Sequence, residues 1–101
     1  MTRLSIIIVS YNVKYYLEQC LRSVERATTQ MPVQIWVVDN ASTDGTLDYL
    51  RPRFPHVHFI ANQDNRGFSA ANNQAIRLST SQYVLLLNPD TIVGEDVLQG
   101  C

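Results

Sequence analysis

Cysteine is scarce in this sequence. Cys20 and Cys101 are the only two, too few and too far apart for a disulfide framework or a metal knuckle. Cys20 is therefore expected as a reduced, packed thiol. Runs of basic charge are missing as well: 8 basic against 9 acidic residues leave a net charge of -1, and the arginines from Arg3 to Arg77 are scattered. A nucleic-acid binder would show a clustered basic footprint, so nucleic acid is not expected as a partner. No charged-then-apolar leader opens the chain, and no apolar stretch approaches the length of a bilayer span, so the reading is a cytosolic chain. Internal repeats and low-complexity segments are also missing. What is present is 46% apolar residues over 101 positions, enough to fold one globular domain or part of one.

The most informative stretch is Tyr83 to Thr91, which reads Tyr-Val-Leu-Leu-Leu-Asn-Pro-Asp-Thr. Its apolar run is too short for an independent helix and too continuous for a half-wet strand. It predicts a strand in the middle of a parallel sheet, covered on both faces. Pro89 has no N–H for a further ladder bond, so the strand ends at Asn88 and Asp90 is left at the rim of the sheet. Ligands of open α/β sheets bind outside the carboxyl ends of the strands, so the question becomes which other polar groups reach that rim.

Leu4 to Val9 is a second apolar strand, ending at Ser10-Tyr11-Asn12. From Tyr15 to about Thr28, Leu17, Leu21, Val24 and Thr28 recur at helical spacing, with Lys14, Glu18, Arg22 and Arg26 turned outward. Val33 to Val38 is the next strand, stopping at Asp39-Asn40. The turn from Ala41 to Thr46 follows, where Ser42 or Thr43 is placed to cap a short helix over Thr46 to Arg51 that Pro52 and Pro55 terminate. Val57 to Ala61 alternates and predicts an outer, half-exposed strand. After the loop from Asn62 and the segment Arg66-Gly67-Phe68, a helix over Ser69 to Ser79 is expected to pack through Ala71, Ala75 and Leu78. A further helix is expected to begin at Glu95 to Gln99, without a terminating signal, which implies part of a longer protein.

Strands alternating with helices and short links imply parallel strands joined by right-handed crossovers. The expected fold is a three-layer α/β/α arrangement on a mostly parallel sheet in strand order 3-2-1-4. In that order the winding reverses between the first and fourth strands, which opens a crevice between their tips. Ser10, Tyr11, Asp39, Asn40, Asp44 and Asp90 would surround it.

Three nucleotide-handling schemes fit such alternation, and each lacks its hallmark here. There is no glycine-rich turn after the first strand and no Gly-x4-Gly-Lys-Ser/Thr loop. Ser10-Tyr11-Asn12 also stands where a response regulator needs paired acids. The rim holds carboxylates and amides with little positive charge, so a diphosphate there needs Mg2+ or Mn2+ to bridge carboxylate and phosphate oxygens, with Asp90 as the ligand.

Several segments in order, Ile7 to Asn12, Cys20 to Val24, Val37 to Gly45, Asn65 to Phe68 with Ala71-Asn72-Asn73, and Leu87 to Thr91, resemble the nucleotide-binding half of a family 2 glycosyltransferase. The resemblance spans nearly the whole chain. It implies the GT-A fold, with residues 1–101 as the nucleotide-sugar half of the domain and an acceptor half outside them. It further implies that Ser10, Tyr11, Asn12, Asp39, Asn40, Asp44, Arg66, Asn72 and Asn88 serve the nucleotide. Asp90 matches the last acid of the family's Asp-x-Asp metal motif, whereas Asn88 replaces the first and carries no charge, which should weaken metal binding. Asn-Pro-Asp at this place resembles the rhamnosyltransferase-like branch and favours dTDP-rhamnose, with a UDP-sugar as the other donor. The resemblance implies metal-assisted, inverting transfer to a glycan or lipid-linked acceptor, with the general base beyond Cys101 and no turnover by this portion alone. Peripheral membrane association and a homo-oligomer are compatible partners.

Blander readings stand beside these. Asp39 and Asp44 are also suited to capping a first turn, Gly67 to supplying a backbone shape that a side chain hinders, and Arg66 to a solvated surface. Trp36 and Phe68 are expected in the core. His56 and His58, two apart on an outer strand, read as a surface pair rather than metal ligands. The competing function is a nucleotide-binding or interaction module without chemistry, or the inactive remnant of an enzyme.

Overall fold

The computed structural model describes residues 4–29, 32–79 and 81–89. Element order is β1 (Leu4–Ser10), α1 (Lys14–Ala27), β2 (Val33–Asn40), α2 (Thr46–Leu50), β3 (His58–Asn62), α3 (Phe68–Leu78) and β4 (Tyr83–Leu87). The four strands form one sheet in the order β3-β2-β1-β4, every pair parallel. Both the expected alternation and the expected strand order are present. The registers Ser10 with Asp39 and Asn40 with Asn62 set the tips of the first three strands side by side.

Side chains alternate across a strand, and the two faces are covered by different helices. Ile6, Ile8, Ile35 and Val37 are buried with Leu17, Cys20, Leu21, Val24 and Ala27 of α1 and with Leu50, Phe54 and Val57 of the α2 region. On the opposite face Ile7 and Val38 meet Ala71 and Ala75 of α3, with Val9, Trp36 and Ile60 packed around them. Small residues at the α3 contact let the helix lie close to the strands. Cys20 is buried as a thiol, as its isolation in the sequence implied.

The structure corrects three expectations about burial. Among the described residues β4 is an end strand paired with β1 alone, not a central one. Leu85 and Leu87 pack toward α1, but Val84 and Leu86 on the other face are 40% and 44% exposed. The reason is that α3 crosses β2 and β1 and stops short of covering β4. Leu78 and Phe68 are also exposed rather than packed, at 58% and 54%, because Ala71 and Ala75 already define the contact line and these two lie at the helix ends. Trp36 is partly buried, and its ring stacks on His58 at 4.4 Å. His56 instead meets Glu25 at 2.5 Å. The histidine pair does not converge. The helix expected at Glu95 to Gln99 lies outside the described residues.

Candidate functional site at the strand tips

Asp39 closes β2 with its carboxylate almost wholly buried, 3% exposed. Burying a charge is costly unless it is hydrogen-bonded. Ser10 Oγ donates to Oδ1 at 3.0 Å, Ser42 Oγ to the same oxygen at 2.5 Å, and the Ser42 backbone N–H to Oδ2 at 3.0 Å. A carboxylate offers about four acceptor directions, so these donors leave room for one more. Tyr11 stands just past the end of β1 with its ring 49% exposed.

The loops after β1 and β2 lock together above this carboxylate. The Asn12 backbone N–H donates to Ser42 Oγ at 2.8 Å, and Asn12 Oδ1 accepts from the Thr43 N–H at 2.7 Å. Asn12 holds a positive φ of 53°, a conformation an asparagine tolerates. The side chain of Asn12 thus fixes the loop pair. Ser42 is a positioning residue that the sequence reading assigned only to capping. Its spacing of three from Asp39, the pattern of a local side-chain-to-backbone turn, was the available signal.

Ser42 and Thr43 are engaged with Asp39 and Asn12, so neither caps α2, contrary to expectation. Asp44 does so from one residue before the left-handed Gly45. Its Oδ1 accepts from the Thr46 N–H at 3.1 Å and from the Thr46 hydroxyl, and its Oδ2 accepts from the Lys14 N–H at 3.2 Å. Burial alone would raise the Asp44 pKa, but the Thr46 hydroxyl and the Lys14 and Thr46 amides outweigh it and hold the carboxyl below its ordinary value. Lys14 Nζ also donates to the Asp44 carbonyl at 3.0 Å.

Asn40 faces the other way, toward the loop before α3. Its Nδ2 donates to the Gly67 carbonyl at 3.3 Å, while its Oδ1 accepts from Asn62 Nδ2 at 2.9 Å and the Arg66 N–H at 3.5 Å. Asn62 and Gln74 exchange a reciprocal pair of amide bonds at 2.8 and 2.9 Å. This chain of amides pins the start of α3 to the tips of β2 and β3. The Arg66 guanidinium is half-exposed and paired with Asp64 at 3.3 Å.

Asn88 follows β4 as an exposed residue, with its carbonyl accepting from Cys20 Sγ at 3.8 Å. Asn72 of α3 is 4% exposed, and neither its Nδ2 nor its Oδ1 has a partner. An unpaired buried polar group costs about 1–3 kcal/mol. Asp90 lies outside the described residues. Among the described residues no group of three or more His, Cys, Asp or Glu side chains is arranged to hold a metal. The Asp39 and Asp44 carboxylates are directed at protein donors. A cation at this rim would therefore depend on Asp90, with Asn88, phosphate and water oxygens completing a hard-ion shell, a donor set that suits Mg2+ or Mn2+.

A parallel α/β sheet whose winding reverses at β1, with polar groups gathered at the strand tips, defines the nucleotide-binding class of fold. Comparison with known proteins makes this specific. The chain matches Glycosyl transferase family 2 over residues 5–101 and belongs to that family. It is 33% identical over 100 residues to the chondroitin synthase of Escherichia coli, covering 96% of this chain and 14% of that protein. It is 36% identical over 102 aligned positions to the N-acetylglucosaminyl-diphospho-decaprenol L-rhamnosyltransferase of Mycobacterium tuberculosis, covering 90% of this chain and 33% of the relative. Among solved structures, the mannosyltransferase PcManGT of Pyrobaculum calidifontis, in complex with GDP-Man and Mn2+, superposes with a TM-score of 0.84 at 28% identity. That superposition covers 95% of this chain and 30% of the mannosyltransferase. Residues 1–349 of S. aureus TarS in complex with UDP share the fold, with a TM-score of 0.87 at 23% identity, covering 98% of this chain and 30% of that one. The fold is GT-A, and the chain spans a third or less of the length of these relatives.

Proposed function

We propose that the intact protein transfers a sugar from a nucleoside-diphosphate donor to a glycan or lipid-linked acceptor, and that residues 1–101 are its donor-binding half. The observation that carries this is the Asp39 carboxylate, buried and oriented by Ser10 and Ser42 at the tips of β1 and β2, with Tyr11 exposed directly after Ser10. Such an acceptor suits a base N–H or a ribose hydroxyl, and Tyr11 suits the face of the base. In this reading Asn12, Asn40 and Asp44 act by holding the loops that frame the nucleotide, and Arg66 is free to turn from Asp64 toward a phosphate. In the same reading Asn88 and Asp90 serve the diphosphate.

A dTDP-rhamnose donor is supported by Asn88-Pro89-Asp90 and by the rhamnosyltransferase among the relatives; a UDP-sugar is the other donor to test. The acceptor hydroxyl attacks the anomeric carbon with inversion, the glycosidic oxygen–carbon bond forms as the bond to the diphosphate breaks, and the nucleoside diphosphate leaves with the bonding pair. The acceptor's proton passes to a base outside residues 1–101. A bound Mg2+ or Mn2+ supplies charge stabilisation for the leaving diphosphate.

The test is calorimetric titration of the intact protein with UDP, dTDP and GDP in Mn2+, followed by a donor panel. One diphosphate should bind, and its sugar should be the one transferred. Asp39→Ala should abolish nucleotide binding. Asp90→Ala should leave nucleoside binding intact and lower kcat by about 100- to 1,000-fold, the usual loss when a preorganised contact to developing charge is removed. Parental turnover by Asp90→Ala would remove the metal assignment.

A further inference from the structure

The fold gathers basic side chains that the sequence scatters. Lys14, Arg22, Arg26, Arg51 and Arg53 all belong to α1 and the α2 region, five of the 8 basic residues in the chain. At about 100° per residue, Tyr15, Arg22 and Arg26 fall on one narrow stripe of α1, opposite the stripe that buries Leu17, Cys20, Leu21 and Val24. It points straight away from the sheet. All three side chains are exposed, Tyr15 at 63%.

The neighbouring helix continues this surface. Tyr49 of α2 meets the Tyr15 ring edge-on at 5.8 Å, Lys14 Nζ lies 5.0 and 5.4 Å from the Tyr15 and Tyr49 ring centres, and the Arg53 guanidinium lies 3.7 Å from the Tyr49 ring centre. Aromatic faces thus hold two of the cations in place. The acids on this side are mostly engaged: Glu18 accepts from Arg22 at 2.8 Å and from the Tyr49 hydroxyl at 3.0 Å, and Glu25 meets His56. Asp48 is the exposed acid of α2, and among the described residues neither Arg26 nor Arg51 is ion-paired. Five cations against these three carboxylates leave the face net positive.

Two helices lying side by side make a broad face rather than a groove that would follow a linear polyanion. Tyrosine among arginine and lysine suits the headgroup layer of a bilayer, where an amphipathic ring bridges acyl chains and water and a guanidinium pairs with phosphate. The apolar tract that further chain would cover, Val84 and Leu86 with Ile76 and Leu78, lies on the α3 side of the sheet, opposite this face.

We propose that the outer face of α1 and the α2 region docks the intact protein onto a membrane surface rich in anionic phospholipid, with Tyr15 in the headgroup layer and Arg22, Arg26 and Arg51 against lipid phosphates. Because α1 begins just past the tip of β1, Tyr15 brings that surface close to the mouth of the crevice. A lipid-linked acceptor would be presented there. The docking itself goes beyond the donor reading and does not depend on it.

The experiment cosediments the intact protein with vesicles of phosphatidylcholine alone and of phosphatidylcholine and phosphatidylglycerol in equal parts, at low and high salt. Two variants run beside it: Arg26→Ala combined with Arg51→Ala, and Tyr15→Ser. The parent should prefer the anionic vesicles and release them as salt rises. The arginine variant should lose about fivefold in partition for each cation removed, the worth of one basic side chain near an anionic bilayer. Tyr15→Ser should bind more weakly and keep its dependence on salt. These side chains are outside the nucleotide crevice, so titrations with UDP and dTDP should match the parent, and thermal midpoints report that each variant is folded. Failure to bind anionic vesicles, equal binding to neutral and anionic vesicles, or parental binding by the arginine variant overturns the docking. Heparin binding that needs the same arginines, without vesicle binding, also overturns it and identifies a soluble polyanion as the partner.

Discussion

Two residues near the rim show how local chemistry is set by neighbours rather than by residue type. Ala41 holds a φ of 64°, a left-handed conformation in which its Cβ crowds the following carbonyl. The turn out of β2 must bend there to bring Ser42 back onto Asp39. Ala41→Gly should relieve this strain and raise stability by up to about 1 kcal/mol after the entropy of the freer unfolded chain is counted, read from urea denaturation midpoints. Asp44 makes a second prediction. Its folded pKa lies below the ordinary 3.8, so its contribution is fully present above that value and is lost as pH falls through the lower folded value. Glu18 adds to the same limb, because the Arg22 hydrogen bond, opposed by burial and helped by Tyr49, lowers its pKa as well. Asp44→Ala should lower stability near neutrality by about 1 kcal/mol, as for a lost cap, and flatten the loss of stability on acidification. Circular dichroism melts across acid pH would read both.

At the scale of elements, α3 is placed by its entry rather than by its apolar face. Gly67 has φ 81° and ψ 171°, a region nearly closed to residues with a Cβ. A Cβ added there would meet nothing within 4 Å, so the cost of a substitution is backbone strain alone. Gly67→Ala should destabilise by roughly 1–3 kcal/mol and, by disturbing the Asn40 contact, weaken nucleotide binding. Chemical denaturation and titration separate the two effects. The amide chain Asn40–Asn62–Gln74 that receives this entry was invisible to periodicity, since its members sit on three elements. The strands were legible, because continuous Ile, Val and Leu runs have few alternatives to a parallel sheet. The helix caps were less so: Asp44, Ser42 and Thr43 all carry capping chemistry, and only the fold shows which of them is already engaged.

Across the whole molecule, burial is lopsided. One face of the sheet is sealed by α1 and the α2 region, while beside α3 a tract containing Val84, Leu86, Leu78 and Ile76 is exposed. Exposed apolar side chains gathered on one side of a sheet mark a place where something packs, and in the longer relatives there is chain available to do so. A polypeptide of these 101 residues should therefore self-associate with rising concentration, and Leu86→Lys should reduce association without lowering the thermal midpoint. Sedimentation velocity over a concentration series decides this; a protein that stays monomeric throughout, with Leu86 in place, would contradict it.

The sequence by itself determined the element order, the parallel pairing and the polar character of the strand tips, because apolar period, proline placement and turn chemistry act over a few residues. Tertiary structure alone decided which polar groups remain available. Asp39 keeps an open acceptor direction, Asp44 and Asn40 are committed to loops, and Asn72 is buried unpaired, since hydrogen-bond saturation depends on partners about 30 positions away in the chain.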